Sequence, residues 1–236
     1  MNSLPAGYRA LVVGASGAIG GALVEALRAD ERCGGVTALS RSSAPALDLT
    51  DPVSIAAAAA ALRGQAPFHL MVCATGVLQV DSRAPEKRLA DLDAAVLARL
   101  FAVNATGPAL FIQHFHDLLP LRERSLLGVL SARVGSIGDN RKGGWYGYRA
   151  SKAALNMLLK TAAIEVARKR PLAVLAALHP GTVRSGLSAP IIGDAEALAP
   201  AASARHLLAV LDALPGEGAS GVSGAFHAWD GTPIAW

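Results

Sequence analysis

Aromatic residues are scarce in this 236-residue chain: they make up 5% of it, although 52% is hydrophobic. The apolar weight therefore rests on Ala, Leu and Val, a composition that suits helices packed on a buried sheet. Cysteine is scarcer still. Cys33 and Cys73 stand far apart without metal-ligand spacing, so both read as packing residues and no metal site is predicted. Charge of one sign is never concentrated. The 22 Lys and Arg against 18 Asp and Glu leave a formal charge of +4, and the basic residues are scattered, so nucleic acid is not an expected partner. No uninterrupted apolar run approaches the roughly 18 residues that a membrane span requires, so no membrane association is predicted. The first seven residues lack a basic stretch followed by an apolar core; no secretory leader is predicted and the expected location is cytoplasmic. Repeats, linkers and low-complexity tails are missing as well, and the length suits a single domain over 1–236.

What the chain does have is an alternation of short apolar runs with longer helical patterns. Residues 9–13, 36–39 and 46–49 read as strands around a helix over 19–29, a βαβαβ beginning. Asp51 and Pro52 suit the N-cap and first position of a helix over 53–62, and 68–74 reads as a buried central strand. A long helix is predicted over 92–119 and another over 148–169, which has no internal Gly or Pro. Strands over 126–131, 172–178 and 222–228 and a helix over 203–214 complete an α/β pattern. The expected architecture is one Rossmann-type doubly wound domain with a mostly parallel sheet of about seven strands. The irregular segment 185–200, with Leu187, Ile191 and Ile192, is predicted to be a lid over an apolar substrate.

Gly14, Ser16, Gly17, Ala18, Ile19 and Gly20 follow the first strand and open the first helix. Small residues there let backbone approach a pyrophosphate at the positive helix end. After the second strand, an acid would select NAD and an arginine would accommodate a 2′-phosphate. The residues found are Ser40, Arg41 and Ser42, so the predicted cofactor is NADP(H), with Arg41 pairing the phosphate and a serine assisting. Near the start of the 148–169 helix, Tyr148 and Lys152 are four apart and share a face that Tyr146 does not. A lysine cation beside a phenol favours the phenolate and lowers its pKa toward a range useful for acid/base work.

With these elements the chain resembles the short-chain dehydrogenase/reductases over essentially its full length. The Tyr-x-x-x-Lys element, the Gly-rich turn, Asn104 between them and Pro180-Gly181 occur in the family's order. The stretches Arg133-Val134-Gly135-Ser136-Ile137, Gly143-Gly144 and Asp230-Gly231-Thr232-Pro233-Ile234 look most like the C-factor and carbonyl-reductase-like branch. The resemblance implies Tyr148 as general acid or base, Lys152 on the nicotinamide ribose, and Asn104 positioning a relay water. It implies further cofactor contacts from Asp48 and Leu49 at the adenine, from Ala74 and Gly76, and from Pro180, Gly181, Thr182 and Val183 at the carboxamide. His179 is assigned no role.

The chain departs from that pattern at three places. The family's substrate-polarising serine falls on Ala132, so Ser131 is expected to replace it if the strand has ended or bulged there, with Ser136 as the alternative. Cys73-Ala74-Thr75-Gly76 stands where the family commonly has Asn-Asn-Ala-Gly, and Ala18 replaces the middle glycine of the turn. The expected function is an NADP(H)-dependent oxidoreductase acting on a small carbonyl compound or alcohol. The alternative is a C-factor-like signalling or regulatory protein with weak or no turnover. By family analogy the protein is expected to form a homodimer or homotetramer through its long helices.

Overall fold

The computed structural model describes residues 1–81, 83–186, 197–216 and 223–236. Among these residues six strands form the sheet: β1 (Tyr8–Val13), β2 (Cys33–Leu39), β3 (Leu70–Cys73), β4 (Ser125–Leu130), β5 (Ala173–His179) and β6 (Ala225–Ala228). Their order is β2-β1-β3-β4-β5-β6, and every neighbouring pair is parallel. Parallel strands need helical crossovers, here α1 (Ala18–Arg28), α2 (Pro52–Leu62), α3 (Ala94–Phe101), α4 (Gly107–Phe115), α5 (Tyr146–Lys169) and α6 (Pro200–Ala213). Helices on both faces explain why β3 and β4 are buried at every residue and why they read as continuous apolar runs.

The strand period of two sorts the core into two layers. Leu11, Met71, Leu127 and Leu175 face Ile55 of α2, Phe111 of α4 and Leu155 and Leu159 of α5. Their neighbours Val12, Val72, Leu126 and Val174 pack with Leu23 and Leu27 of α1 and with Leu207 and Leu211 of α6. The order of strands reverses between β1 and β3, and a ligand crevice lies outside the carboxyl ends of strands at such a switch.

Six strands replace the expected seven because 46–49 does not pair with β2. Leu47 N donates instead to Ser40 O at 2.9 Å and Asp48 N to Ser54 Oγ at 3.0 Å, so the loop turns inward. Its strand-like alternation comes from Leu47 and Leu49, both inserted into the core from that loop. The last strand starts at Ala225 and not at the expected Val222, which lies outside the described residues. Asp51 caps α2 as predicted, accepting from Val53 N at 2.9 Å.

The predicted long helix begins at Ala94 under the cap of Asp93, which accepts from Ala95 N and Val96 N. A π turn, Ala102–Thr106, breaks it ahead of Pro108, a residue that contributes no N–H to the helical ladder. By length and composition alone the helical run Ala94–Leu118 is long and apolar enough to cross a membrane, although it holds no uninterrupted apolar stretch of that length. Polar residues such as Arg99 and Asn104 interrupt the apolar run. In the fold Leu100, Ala105, Phe111, Ile112 and Phe115 of this run are buried.

Candidate active site

The turn after β1 is shaped for close backbone approach. Gly14 has φ +83°, and a Cβ on it would lie 2.8 Å from Ala74 O, so a side chain is excluded there. Helix α1 opens on Gly17 with no side-chain cap and no acid in its first turn, which leaves N–H groups at a positive helix end for an anion. Gly17, Ala18 and Ile19 line a cavity of about 590 Å³. Gly14, Ser16 and Gly20 shape the turn from outside that wall.

Gly14 N and Ala15 N both donate to Leu39 O, so the residues after β2 emerge beside the turn. Ser40 and Ser42 pair through their hydroxyls at 3.2 Å and Arg41 is exposed. The strand end carries no acid. Asp48 accepts from Thr50 N at 2.8 Å and Thr50 Oγ1 at 2.7 Å; these bonds, with Arg41 as a smaller cause, hold its carboxyl below the usual range. Leu49 is buried in the core. Ser40, Arg41, Ser42, Asp48 and Leu49 are not in the cavity wall.

Tyr148 and Lys152 are both in that wall, one turn apart on α5, and both are buried. Lys152 Nζ donates to Leu130 O at 2.8 Å, and burial pushes its pKa down to about 8. Burial alone pushes the Tyr148 phenol up to about 12. The direction differs from the sequence expectation that the lysine lowers the phenol: desolvation disfavours both charged forms, and Lys152 is not among the causes acting on the phenol.

Asn104 occupies the π turn and is fully buried. It accepts from Val77 N at 2.9 Å, donates to Val77 O at 2.8 Å and to Ser151 Oγ at 3.1 Å, and Ser151 donates in turn to Tyr148 O. The loop after β3, including Ala74 and Gly76 of the cavity wall, is thereby tied to the first turn of α5. A Cβ on Gly76 would lie 3.3 Å from Lys152 Nζ and 3.4 Å from Asn104 Oδ1. The stretch Cys73 to Gly76 is held here by Ala74 N, which donates to Val13 O, and by Asn104, which accepts from Val77 N.

The serines are placed differently from expectation. Ser131 N continues the ladder by donating to Leu178 O, and Ala132 is still extended at φ −151°, ψ 143°. Although β4 ends at Leu130, the backbone stays extended through Ala132 without a bulge, so the two side chains still alternate. Ala132 packs with Tyr148 and Leu78, whereas the Ser131 hydroxyl donates to Asn156 Oδ1 at 2.7 Å. Ser131 still lines the cavity; Ser136 does not, and its Oγ accepts from Asp139 N. Pro180, Gly181, Thr182 and Val183 close the wall after β5. His179 lines it too, its pKa pushed down to about 4, first by burial and then by Arg133. Among the described residues no group of three or more His, Cys, Asp or Glu could hold a metal, and both cysteines are free thiols.

Residues 20–222 match the family model described as enoyl-(acyl carrier protein) reductase, adh_short_C2. The chain belongs to the short-chain dehydrogenase/reductase family. It is 32% identical, over 81% of its length and 79% of the relative's, to 1-hydroxy-2-glutathionyl-2-methyl-3-butene dehydrogenase of Rhodococcus sp. strain AD45. It is 38% identical to the C-signal protein of Myxococcus xanthus, over 63% of this chain and 83% of that one. A short-chain dehydrogenase/reductase of Burkholderia multivorans solved with bound NADP superposes with TM-score 0.80 and 26% identity, covering 97% and 99% of the two chains. An NADPH-bound carbonyl reductase from chicken fatty liver superposes with TM-score 0.83 and 25% identity, covering 99% and 95%.

Four residues of this family member were missed by the sequence reading. Asn156 lies one further turn along α5 from Lys152, a spacing that could have found it. Glu86 accepts from Gly147 N at 3.3 Å, Trp145 caps α5 from the left-handed region at φ 53°, and Arg149 bonds to the loop ahead of it. A single sequence carries no periodic signal for these, because Glu86 comes from a distant loop and the turn that Arg149 holds has no regular period.

Proposed function

We propose that the protein is an NADP(H)-dependent oxidoreductase that interconverts a small carbonyl compound and its alcohol, with Tyr148 exchanging the proton. The observation that carries this reading is that Tyr148 and Lys152 share one cavity wall with Gly17, Ala18 and Ile19 of the Gly-rich turn. The cofactor, when bound, supplies or accepts the hydride. The uncapped first turn of α1 suits its diphosphate, and the acid-free end of β2 with Arg41 suits a 2′-phosphate. Pro180 to Val183, Ala74 and Gly76 suit the nicotinamide half, with Asp48 and Leu49 toward the adenine.

Held neutral by burial, the Tyr148 phenol is protonated at neutral pH and fit to give its proton to a substrate oxygen during reduction. Lys152, with a pKa near 8, exchanges protons in the working range and offsets the phenolate left behind. Asn104 fixes the loop and the helix between which these groups sit. Neither serine hydroxyl is needed: Ser131 is spent on Asn156, and Ala132 presents a methyl group beside the phenol. Self-association through α5, whose Met157, Leu158 and Ile164 are exposed, belongs to the same reading and would give a homodimer or homotetramer.

NADPH consumption over a panel of carbonyl compounds tests the proposal, with Tyr148→Phe expected to lower turnover by about 10²- to 10⁴-fold. Activity unaffected by that change overturns the mechanism. The missing serine at Ala132 and the 38% identity to the C-signal protein favour a second reading, a regulatory dinucleotide-binding protein. NADPH binding without consumption of any carbonyl would decide for it.

A further inference from the structure

Gly143, Gly144 and Trp145 lie consecutively in the left-handed region, at φ +62°, +65° and +53°. Glycine adopts it freely, whereas a tryptophan is strained there and stays only where its surroundings fix it. Two elements do so. Arg149 Nε donates to Gly144 O at 2.9 Å, Nη2 to Gly143 O at 3.1 Å and Nη1 to Val134 O at 3.3 Å. On the other side, Trp145 N donates to Glu86 O, and the Glu86 carboxylate accepts from Gly147 N. The indole is thus aimed by the fold. It lines the cavity next to Tyr148, the two ring centroids 6.4 Å apart and the planes at 64°, an edge-to-face arrangement. Leu78, Ala132 and Val134 complete an apolar wall around the phenol.

We propose that Trp145 is a specificity-determining residue of this pocket and selects carbonyl compounds that carry an aromatic ring next to the C=O group. The inference rests on the reductase reading above and deepens it by naming the substrate class. A flat ring placed against the indole puts its carbonyl oxygen beside the phenol, whereas a saturated ring of the same size fills the space without the aromatic pairing. Arg149 acts through Trp145 and is a positioning residue, since lysine cannot reproduce its planar fork of donors.

The test compares NADPH-dependent reduction of benzaldehyde and cyclohexanecarbaldehyde by the native protein, Trp145→Phe, Trp145→Leu and Trp145→Asn, the last because asparagine tolerates the left-handed region. Intrinsic reactivity cancels in the comparison of variants. The kcat/KM ratio of the two aldehydes is expected to shift against benzaldehyde by about two- to tenfold in Trp145→Leu and Trp145→Asn, the worth of one aromatic pair. It should stay near native in Trp145→Phe and fall partway in Arg149→Lys, with NADPH affinity unchanged in all. A ratio unaltered in both Trp145→Leu and Trp145→Asn overturns the proposal. If the native protein reduces neither aldehyde nor any other carbonyl compound of the panel, the reductase reading fails separately. Calorimetric titration of the two aldehydes into NADP-saturated protein then decides: tighter benzaldehyde binding that depends on Trp145 upholds the proposal, and equal or absent binding sinks it.

Discussion

The Ser131 hydroxyl donates to the side-chain carbonyl of Asn156 at 2.7 Å, two helical turns along α5 from Tyr148. With its hydroxyl proton given to Asn156, Ser131 is not expected to supply the hydrogen bond that a serine at 132 would offer a substrate. Two substitutions separate structural from chemical roles. Ser131→Ala should leave kcat within about threefold while costing about 1–3 kcal/mol of stability, because it strands a buried amide. Ala132→Ser should raise kcat by about tenfold or more, the low end of what one preorganised donor is worth. Steady-state kinetics and urea unfolding measure both. A hundredfold loss of kcat in Ser131→Ala would show that this serine touches the substrate after all.

Stability of the cofactor-free protein should carry the signature of Lys152 and Tyr148, two of its buried titrating groups. Lys152 is depressed from 10.5 to about 8. Below pH 8 the fold bears the cost of a buried ammonium, and as pH rises from 8 to 10.5 that cost is relieved, so this group makes stability increase with pH. Tyr148 is raised from 10.0 to about 12; its contribution is fully present below pH 10 and is lost between 10 and 12. The expected outcome is a Tm that rises more steeply between pH 8 and 10 in the native protein than in Lys152→Met, which retains every other titrating group. Parallel Tm curves for the two proteins would contradict the assignment.

Much of this fold is legible along the chain because local rules and tertiary structure agree. Asp51 and Pro52 start α2 as their chemistry dictates, and β3 and β4 are apolar throughout because both faces are covered. The loop 46–49 misled because a residue pair such as Leu47 and Leu49 alternates whether it belongs to a ladder or plugs a core, and only the Ser40 and Ser54 hydrogen bonds distinguish the two. At the candidate site the Gly-rich turn, Tyr148 and Lys152 are readable from spacing on single elements. The sign of the Tyr148 shift was not, because burial depends on Leu78 and Ala132 arriving from the loops after β3 and β4. The predicted lid lies mainly in residues 187–196, outside those described.

Gly76 separates two polar groups, and a methyl group there tests whether their approach matters. Its Cβ would meet Lys152 Nζ at 3.3 Å and Asn104 Oδ1 at 3.4 Å, close enough to require one of them to shift by a few tenths of an ångström. Gly76→Ala is expected to lower kcat by about tenfold while changing stability by about 1 kcal/mol or less, since displacement of a reacting group costs more in rate than in folding. Gly14→Ala, strained at φ +83° and 2.8 Å from Ala74 O, should instead destabilise by about 1–3 kcal/mol and weaken NADPH binding. Equal effects of both changes on kcat and on unfolding would remove the distinction between a site glycine and a turn glycine.

Arg41 carries the cofactor preference in this reading. It emerges after β2 beside the Gly-rich turn, between two serines whose hydroxyls are paired with each other, and no acid stands at the strand end to repel a 2′-phosphate. A charged hydrogen bond of this type is worth about 1.5–3 kcal/mol, so Arg41→Ala should reduce NADPH affinity by about 10- to 100-fold. Affinity for NADH should change less than threefold, since only the phosphate distinguishes the two. Raised salt should narrow the native preference and leave that of Arg41→Ala almost unmoved, because exposed charge pairs are screened. Titrations of both nucleotides by fluorescence at two ionic strengths measure all four quantities. Native protein that binds NADH as tightly as NADPH would overturn the assignment of the phosphate to this arginine, while leaving the roles of Tyr148 and Lys152 intact.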